Sequence, residues 1–423
     1  MSQELHNALI RKRWQAWTFI GAFGALLLGF GASNLVALSD GGLAKTRENG
    51  WDDFTAGKPM RALAEDLRST PLAEWLGQRQ REIGWLAFND TGPRVQQGCP
   101  GWLFLMDELK PHRNAAQNAG ERLDIALRLH EALAARGSRL VIALVPDKTR
   151  IERDHLCDLP RPAALEARYD QWVRGLAAAG VTVVDLRAAL APVKQSQGAA
   201  FDRTDTHWNL AGSQAAASAV AAQLKALGFA PASPTLIEHH PTEIRPRWGD
   251  LVRLAGLDGL PEAWRPAPDQ VASMHFAASA QVATEVGADA LFGDTANQRV
   301  ALVGTSFSRN AHFADFLAAA LASEVGNLAR DGGGFAQSMS EFLEQEAQNE
   351  APTSWIIWEM TERVLQEPLQ DIDRALLASR VASSARHVDL AQTPPAQACQ
   401  TAAAGHGPLC VEMEGPRVTH ASR

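Results

Sequence analysis

The sequence has no excess of basic residues. Its 40 lysines and arginines are outnumbered by 48 aspartates and glutamates, which gives a formal net charge of −8. A nucleic-acid-binding protein needs basic side chains to displace the counterions of the phosphates, so this balance argues against a nucleic-acid partner. A set of spaced metal ligands is also lacking, because the pair His239-His240 has no companions at zinc-site spacing. We therefore expect no metal and no cofactor.

Charged residues are absent from segment 14–38, which is rich in alanine, leucine, phenylalanine and glycine. This segment is long enough to cross a hydrocarbon core. Arg11-Lys12-Arg13 precede it, so the positive-inside rule places residues 1–13 in the cytoplasm. The segment is interpreted as a membrane anchor or an uncleaved signal, with cleavage after Gly31-Ala32-Ser33 as the alternative. In the anchored interpretation, the rest of the chain lies beyond the membrane.

Cysteine is scarce, and all four cysteines follow that segment. Cys157 lies in a polar stretch that suits a buried thiol poorly, so we expect pairing in an oxidising compartment. Cys399 and Cys410 would close a short loop in the tail, and Cys99 with Cys157 would be the remaining pair. The sequence leaves this connectivity open.

Apolar runs with strand and helix periodicity alternate along most of the chain. Helices are predicted at 117–136, 163–179, 209–227 and 313–323, and strands at 140–145, 181–184, 300–303 and 354–358. Such alternation predicts a mainly parallel sheet in an α/β sandwich. A proline-rich insertion at about 230–298 is either a surface loop or a small cap over the site. The predicted order is a helical juxtamembrane region at 39–95, a catalytic domain at 96–395 and a tail at 396–423.

The stretch Asp205-Thr206-His207-Trp208 contains a potential base and its orienting carboxylate. In an extended segment, residues i and i+2 point to the same side, so the Asp205 carboxylate can hold one nitrogen of His207. The other nitrogen is then available to a nucleophile. An isolated Asp-x-His is more often an ordinary hydrogen-bonded turn, so this pair gains weight only from a nucleophile elsewhere.

Ser306 is the nucleophile that this base requires. It follows the apolar run at 300–303 and Gly304, a pattern typical of a strand-to-helix turn that exposes a serine hydroxyl. Backbone N–H groups at such a turn can stabilise an oxyanion. Ser306, His207 and Asp205 are therefore predicted to form a catalytic triad.

Several motifs resemble the SGNH-hydrolase-like proteins of bacterial polysaccharide O-acetylation, the alginate O-acetyltransferase family of AlgJ and AlgX type. They are Gly101-Trp102-Leu103-Phe104-Leu105, Val145-Pro146-Asp147-Lys148, the stretch from Asp205 to Asn209, Gly304-Thr305-Ser306-Phe307-Ser308, Gly332-Gly333-Gly334 and Trp358-Glu359-Met360-Thr361-Glu362-Arg363. The resemblance implies an SGNH-hydrolase-like three-layer sandwich after one N-terminal transmembrane helix. It assigns the triad to the same three residues. Thr305 departs from the Gly-Asp-Ser block that is usual in the wider superfamily.

Further site residues are expected around the triad. Trp208 could wall the pocket as a sugar-stacking ring, although most tryptophans are packing anchors. Gly333 and Gly334 could offer oxyanion N–H groups or form an ordinary turn. Arg363 either pairs with Glu359 or orients an acidic sugar.

The resemblance implies a single-pass protein of the bacterial inner membrane with its catalytic domain in the periplasm. It would acetylate an exopolysaccharide through an acetyl-Ser306 intermediate, with a membrane-bound O-acyltransferase partner as acetyl donor. One alternative is an exported esterase that uses the same triad with water as acceptor. Another is a non-catalytic polysaccharide-binding scaffold that keeps the fold.

Overall fold

The computed structural model describes residues 68–231, 233–279, 299–349 and 352–378, together with residues 14, 17–25, 27–32 and a few positions between 55 and 65. The described residues fall into two compact units. One contains the residues up to Val95 together with Val252–Pro266. The other contains Gln96–Leu251 and the residues from Ala267 onward.

The first unit is built around helix α1, Pro71–Phe88. Thr70 caps its N-terminus and Asn89 ends it in the left-handed conformation. Gln78 donates a hydrogen bond to the carbonyl of Gly256 at 2.8 Å, and the Trp85 indole N–H donates to the carbonyl of Trp264 at 2.7 Å. These bonds join the helix to the 252–266 segment of the same unit.

The second unit contains the central sheet. A small sheet pairs β1, Val95–Gln97, with β2, Leu103–Leu105. The central strands are β3 (Arg139–Val145), β4 (Thr182–Asp185), β7 (Val300–Val303), β8 (Gly326–Asn327) and β9 (Trp355–Thr361). Their order is β4-β3-β9-β7-β8, and every pairing is parallel. Trp358 lies between Ile142 and Val303 in the register. The predicted α/β fold with a mainly parallel sheet is therefore confirmed.

Helices cover both faces of this sheet. In chain order after α1, the described helices are α2 (Ala115–Ala135), α3 (Lys148–Ile151), α4 (Arg168–Ala178), α5 (Leu186–Gln197), α6 (Leu210–Ala226), α7 (Asp250–Leu254), α8 (Phe313–Leu321), α9 (Gln337–Glu346) and α10 (Asp371–Ala378). Ile142 of β3 packs with α2, α4, α9 and α10, whereas its neighbour Val141 packs with α5, α6 and α8. Successive side chains of a strand point to opposite faces, so the fold has three layers with a core on each side of the sheet.

Part of the insertion forms strands rather than a plain surface loop. Strand β5, Leu236–Arg247, pairs antiparallel with β6, Asp269–Ser279, in a two-stranded ribbon. Pro241 lies at a register shift, and this proline-rich composition concealed the strand in the sequence. Met274 and Phe276 on β6 pack against the core that contains α6 and α8. Residues 280–298 of the insertion lie outside the described residues.

The expected transmembrane anchor is not supported. In the part of the chain that the structure describes, no helix is both long and apolar enough to cross a membrane. The prediction of a single-pass inner-membrane protein is therefore wrong.

Cys99 and Cys157 form a disulfide, with their Cα atoms 5.1 Å apart. This confirms one of the two expected pairs. Cys399 and Cys410, with the tail at 396–423, lie outside the described residues.

Candidate active site

Ser306 lies directly beyond the carboxyl end of β7. The strand ends at Val303, and after Gly304 the chain enters a 3-10 turn, Ser306–Ser308. Thr305 precedes the turn in an extended conformation, and its hydroxyl accepts the N–H of Phe307. The strand-to-turn placement predicted from the sequence is therefore present, and it leaves Ser306 partly exposed.

Asp205 and His207 lie in a bent segment just before α6, rather than in the expected extended one. Asn209 caps that helix, since its side chain accepts the N–H of Gly212 at 2.9 Å. Asp205 Oδ1 is 2.6 Å from His207 Nδ1 and also accepts the backbone N–H of His207 at 3.0 Å. Both residues are buried, with 7% and 6% of their surface exposed. This carboxylate therefore fixes the orientation of the imidazole ring.

The three residues meet across 99 positions of sequence, because His207 Nε2 lies 2.7 Å from Ser306 Oγ. With the Nδ1 proton directed at Asp205, Nε2 carries the lone pair that accepts the serine hydroxyl. The arrangement has the order carboxylate, imidazole and hydroxyl that a general base needs to activate a nucleophile.

The carboxylate is charged in this setting. Burial raises the pKa of Asp205, but the hydrogen bond and charge of His207 lower it more strongly, so the pKa lies well below its usual range. Arg247 contributes a positive charge 3.8 Å from Asp205 Oδ2 and pairs with Asp202 at 2.8 Å. For Asp250, burial and then the charge of Asp205 raise the pKa.

A clamp that the sequence analysis missed holds the Asp205 segment. The Asp250 carboxylate accepts the backbone N–H of Thr206 at 2.8 Å and its hydroxyl at 2.6 Å. The preceding residue must be glycine, because a Cβ on Gly249 would lie 2.3 Å from the carbonyl oxygen of Thr204. In the sequence, Asp250 was visible only as the acidic residue of the Gly249-Asp250-Leu251 stretch in the proline-rich insertion.

Lysine 148 supports the same segment from below. Lys148 is buried, and its Nζ donates to the carbonyls of Leu103, Arg203 and Asp205 at 2.7, 3.0 and 2.8 Å. A buried ammonium with three carbonyl acceptors is fully satisfied as a donor. The residue was visible in the sequence as the charged end of Val145-Pro146-Asp147-Lys148, but its partners were not.

Asn310 is a second polar neighbour of the nucleophile that was missed. Its Nδ2 donates to the carbonyl of Ser306 at 2.9 Å and lies 3.3 Å from His207 Nε2. Its position four residues after Ser306 was the available signal. The side chain braces the turn beside the imidazole.

Trp208 is not positioned as a stacking surface. Its ring is fully buried between the edge of Phe307 and the face of Phe313, with ring centroids 5.0 and 4.9 Å away. A sugar needs an exposed ring face, and Trp208 offers none. It packs beneath the His207 segment instead.

The glycine run has one N–H that is already engaged. Gly333 donates its N–H to the carbonyl of Arg330 at 3.1 Å, so this group does not point at an oxyanion. Gly334 has a φ of +55°, which a side chain rarely adopts. Arg330 in turn donates to the carbonyl of Gly304 at 3.0 Å, which places the turn beside the end of β7.

Arg363 lies close to Phe307 in the turn that carries Ser306, but its ionic partner differs from the expected one. Its Nη1 is 3.5 Å from Glu108 Oε1, and its guanidinium lies 5.7 Å from the ring centroid of Phe307. The predicted ion pair with Glu359 is replaced by this contact. The side chain keeps 18% of its surface exposed.

Two groups of side chains have the spacing of a metal site. Asp205, His207 and Asp250 form one, and Glu152, Asp154 and His155 form the other. In the first, hydrogen bonds among the members and to Thr206 engage the ligand atoms. In the second, Lys194 Nζ lies 2.8 and 3.0 Å from the two carboxylates and supplies the positive charge. Neither group is assigned a metal.

The family model described as "SGNH hydrolase-like domain, acetyltransferase AlgX" matches residues 95–362. Among curated proteins, the chain is 33% identical over 362 residues to "Probable alginate O-acetylase AlgJ" of Pseudomonas syringae pv. tomato, covering 82% of this chain and 87% of that protein. It is 31% identical over 395 residues to the protein of the same name from Pseudomonas aeruginosa, covering 89% and 96%.

Two solved structures are similar to this one. The O-acetyltransferase domain of Pseudomonas putida AlgJ matches with a TM-score of 0.58 and 30% identity, covering 68% of this chain and all of that chain. Pseudomonas aeruginosa AlgX matches with a TM-score of 0.52 and 23% identity, covering 68% and 66%. The second likeness concerns the fold alone.

Proposed function

This chain belongs to the SGNH hydrolase-like acetyltransferase family of AlgX and is an O-acetyltransferase, and we propose that Ser306, His207 and Asp205 are its catalytic triad. The observation that supports this assignment is the 2.7 Å contact between His207 Nε2 and Ser306 Oγ, with Asp205 on the other ring nitrogen. Each group then has the role that its chemistry allows.

In the first half-reaction, Ser306 Oγ attacks the carbonyl carbon of an acetyl donor while His207 Nε2 takes the hydroxyl proton. The buried Asp205 carboxylate stabilises the imidazolium that forms. The carbonyl oxygen becomes an oxyanion, for which we propose the backbone N–H of Ser306 as a donor. Collapse of this intermediate breaks the bond to the leaving group, which takes the proton from His207. The product is acetyl-Ser306.

In the second half-reaction, a hydroxyl group of the acceptor attacks acetyl-Ser306. His207 removes the proton of that hydroxyl and then returns it to Ser306 Oγ. The acetyl group is now an ester of the acceptor, and the enzyme is restored. Water in place of the acceptor would give hydrolysis by the same steps, so transfer requires that the acceptor hydroxyl outcompetes water.

We propose an alginate-like exopolysaccharide as the acceptor, because the curated relatives are named alginate O-acetylases. The family resemblance supports a membrane-bound O-acyltransferase as the partner that supplies acetyl groups. Arg363, partly exposed beside Phe307, is the cation that we propose to face an acidic sugar.

The test uses release of nitrophenol from nitrophenyl acetate. Ser306→Ala removes the nucleophile alone, so we expect acetyl release to fall by at least about 1,000-fold in a folded protein. Ser218→Ala on the exposed side of α6 is the matched control and should keep full turnover. Normal turnover by folded Ser306→Ala would exclude Ser306 as the nucleophile.

A further inference from the structure

Glu359 is a carboxylate within the otherwise apolar central strand β9. It is fully buried, and its neighbour Trp358 pairs with Val303 at the end of β7. This places Glu359 beside the point where the chain leaves the sheet toward Ser306. Isolated buried carboxylates are costly unless hydrogen bonds satisfy them. The partners of Glu359 therefore indicate what the residue does.

Among the described residues, all the hydrogen bonds to the Glu359 carboxylate come from Thr305 and Ser308, in the turn that carries Ser306. Oε2 accepts the backbone N–H of Thr305 at 2.7 Å and the hydroxyl of Ser308 at 2.9 Å. Oε1 accepts the Thr305 hydroxyl at 2.9 Å. These donors flank Ser306 on both sides. The carboxylate thus holds the residue before and the second residue after the nucleophile.

The Thr305 hydroxyl extends this support by one residue. It donates its proton to Glu359 and accepts the backbone N–H of Phe307 at 3.3 Å. The Thr305 hydroxyl lies 2.9 Å from Oε1 and 3.1 Å from Oε2 of Glu359, so the carboxylate and this hydroxyl together restrain the turn about Ser306. An aspartate at position 305 would bring a second carboxylate against Glu359, which accounts physically for threonine at this place.

Gly304 fits the same arrangement. A Cβ at this position would lie 2.5 Å from Glu359 Oε2 and 2.8 Å from Ser308 Oγ. The carboxylate therefore occupies the space that a side chain at 304 would need. With Glu359 in this position, residue 304 at the end of β7 must be a glycine.

Burial raises the pKa of Glu359, and the bonds from Thr305 and Ser308 lower it only in part. An apolar residue in this strand would avoid that cost. The carboxylate accepts its hydrogen bonds from Thr305 and Ser308 of the turn. An apolar side chain cannot accept these bonds and so cannot hold the turn in this way.

We propose that Glu359 is the positioning residue of the nucleophile: its hydrogen bonds to Thr305 and Ser308 hold the turn so that Ser306 Oγ stays in line with His207 Nε2. This inference rests on the proposed role of Ser306. Glu359 itself does not touch the reacting atoms. Its loss should slow attack by Ser306 without weakening substrate binding.

The test compares two substitutions of Glu359 by the labelling rate of Ser306. The probe is phenylmethylsulfonyl fluoride: Ser306 Oγ bonds to sulfur, fluoride leaves, and the serine proton passes to His207. Glu359→Leu removes the acceptors and fills a similar volume. Glu359→Gln keeps one acceptor oxygen and gains an amide N–H that can donate to the hydroxyl oxygen of Thr305. It therefore retains hydrogen bonds to the turn without the negative charge.

We expect Glu359→Leu to lower the labelling rate and kcat for nitrophenyl acetate by about 100-fold, with KM nearly unchanged, since misplacement of a reacting group by about 1 Å has an effect of this size. Glu359→Gln should remain within about 10-fold of wild type. Thr305→Val removes the hydroxyl with its bonds to Glu359 and to the Phe307 N–H but keeps the backbone N–H bond to Glu359. It should fall between the two Glu359 variants and serves if Glu359→Leu does not fold.

Glu346→Leu is the matched control. Glu346 is also a buried glutamate that accepts the N–H and hydroxyl of a threonine, Thr353, but it lies near the opposite, amino-terminal end of β9. Its loss should lower the melting temperature while the labelling rate of the folded protein stays at the wild-type value.

Wild-type labelling in folded Glu359→Leu or in Thr305→Val would overturn the positioning role. Equal losses of the labelling rate in Glu359→Gln and Glu359→Leu would also overturn the positioning role. The rate would then depend on the negative charge of Glu359 and not on its hydrogen bonds to the turn. A wild-type protein that is not labelled at Ser306 would instead contradict the proposed nucleophile, so the two failures are distinguishable.

Discussion

His207 has a carboxylate at one ring nitrogen and a hydroxyl at the other, with contacts of 2.6 and 2.7 Å. In the proposed triad, Asp205 would affect the rate through the imidazole, and the imidazole would affect it through Ser306. Residues that act as one unit give strongly non-additive losses when they are replaced together.

We therefore predict that His207→Ala lowers turnover of nitrophenyl acetate by about as much as Ser306→Ala, and that the double variant loses little more. Asp205→Asn should lower it by about 100-fold or more, because the amide can favour the wrong tautomer of His207. Steady-state kinetics on the folded variants measure both effects. Losses that multiply in the double variant would mean that the residues do not act together.

Lys148 gives a prediction about pH. Burial lowers the pKa of Lys148 to about 8 from its ordinary value of 10.5, although the charges of Glu108 and Asp205 oppose this shift. Between these two values the unfolded chain binds more protons than the folded one. The free energy of unfolding should therefore rise with pH through this window, by up to about 3 kcal/mol from this residue.

Urea unfolding between about pH 8 and pH 10.5 measures that rise. It should be smaller in Lys148→Met than in wild type, because methionine does not titrate. Lys225→Met, at an exposed position of α6, should keep the wild-type slope. An unchanged slope in Lys148→Met would show that the buried lysine does not titrate in this range.

The sequence predicted the residues with direct chemical roles in the site better than the residues that support them. The types and local spacing of Ser306, His207 and Asp205 indicated the proposed triad, and the structure brings these three side chains into contact. Glu359, Lys148 and Asp250 were not found as site residues, since their partners lie 54, 57 and 44 positions away in sequence. Spacing along the chain does not indicate such contacts.

At the scale of elements, the carboxyl ends of β3 and β9 are joined by a buried ionic cluster. Arg168 at the start of α4 contacts Asp147, which follows β3, and lies 3.0 Å from Glu362, which follows β9. Arg150 and Arg161 also pair with Glu362, at 2.6 and 3.1 Å. The cluster fixes the edge of the sheet at which the triad lies.

Removing one partner of such a cluster leaves buried charge without compensation. We predict that Arg168→Met lowers the free energy of unfolding by about 3 to 5 kcal/mol. Arg374→Met is the control, since Arg374 is 61% exposed in its pair with Asp371 and should change stability by no more than about 0.5 kcal/mol. Chemical denaturation measures both, and equal small effects would show that the cluster adds little to stability.

Elements with strong periodicity were predicted well, and those that depend on distant pairing were not. Strands β3, β7 and β9 contain runs of at least four apolar residues that are buried in the sheet, and these runs made the strands visible in the sequence. The ribbon of β5 and β6 was missed because its strands are largely exposed and contain Pro241 and Pro246. Pairing between exposed strands leaves no apolar pattern to detect.

For the whole molecule, the alternation of strand and helix patterns predicted the α/β fold that the structure has, and family membership gave its class of reaction. Composition also led to the expectation of a membrane-spanning helix at 14–38, but no helix among the described residues is both long and apolar enough to cross a membrane. A hydropathy pattern shows which environments a segment is compatible with. It does not establish the helix that the segment forms.

The central claim is that acetyl transfer passes through acetyl-Ser306, and peptide mass spectrometry tests it most directly. After brief reaction with nitrophenyl acetate and an acid quench, we predict one acetyl group on the peptide that contains Ser306. Addition of a uronic acid oligosaccharide before the quench should remove it and acetylate the sugar. Acetylation of the sugar by folded Ser306→Ala, or an acetyl group confined to other residues, would contradict the account.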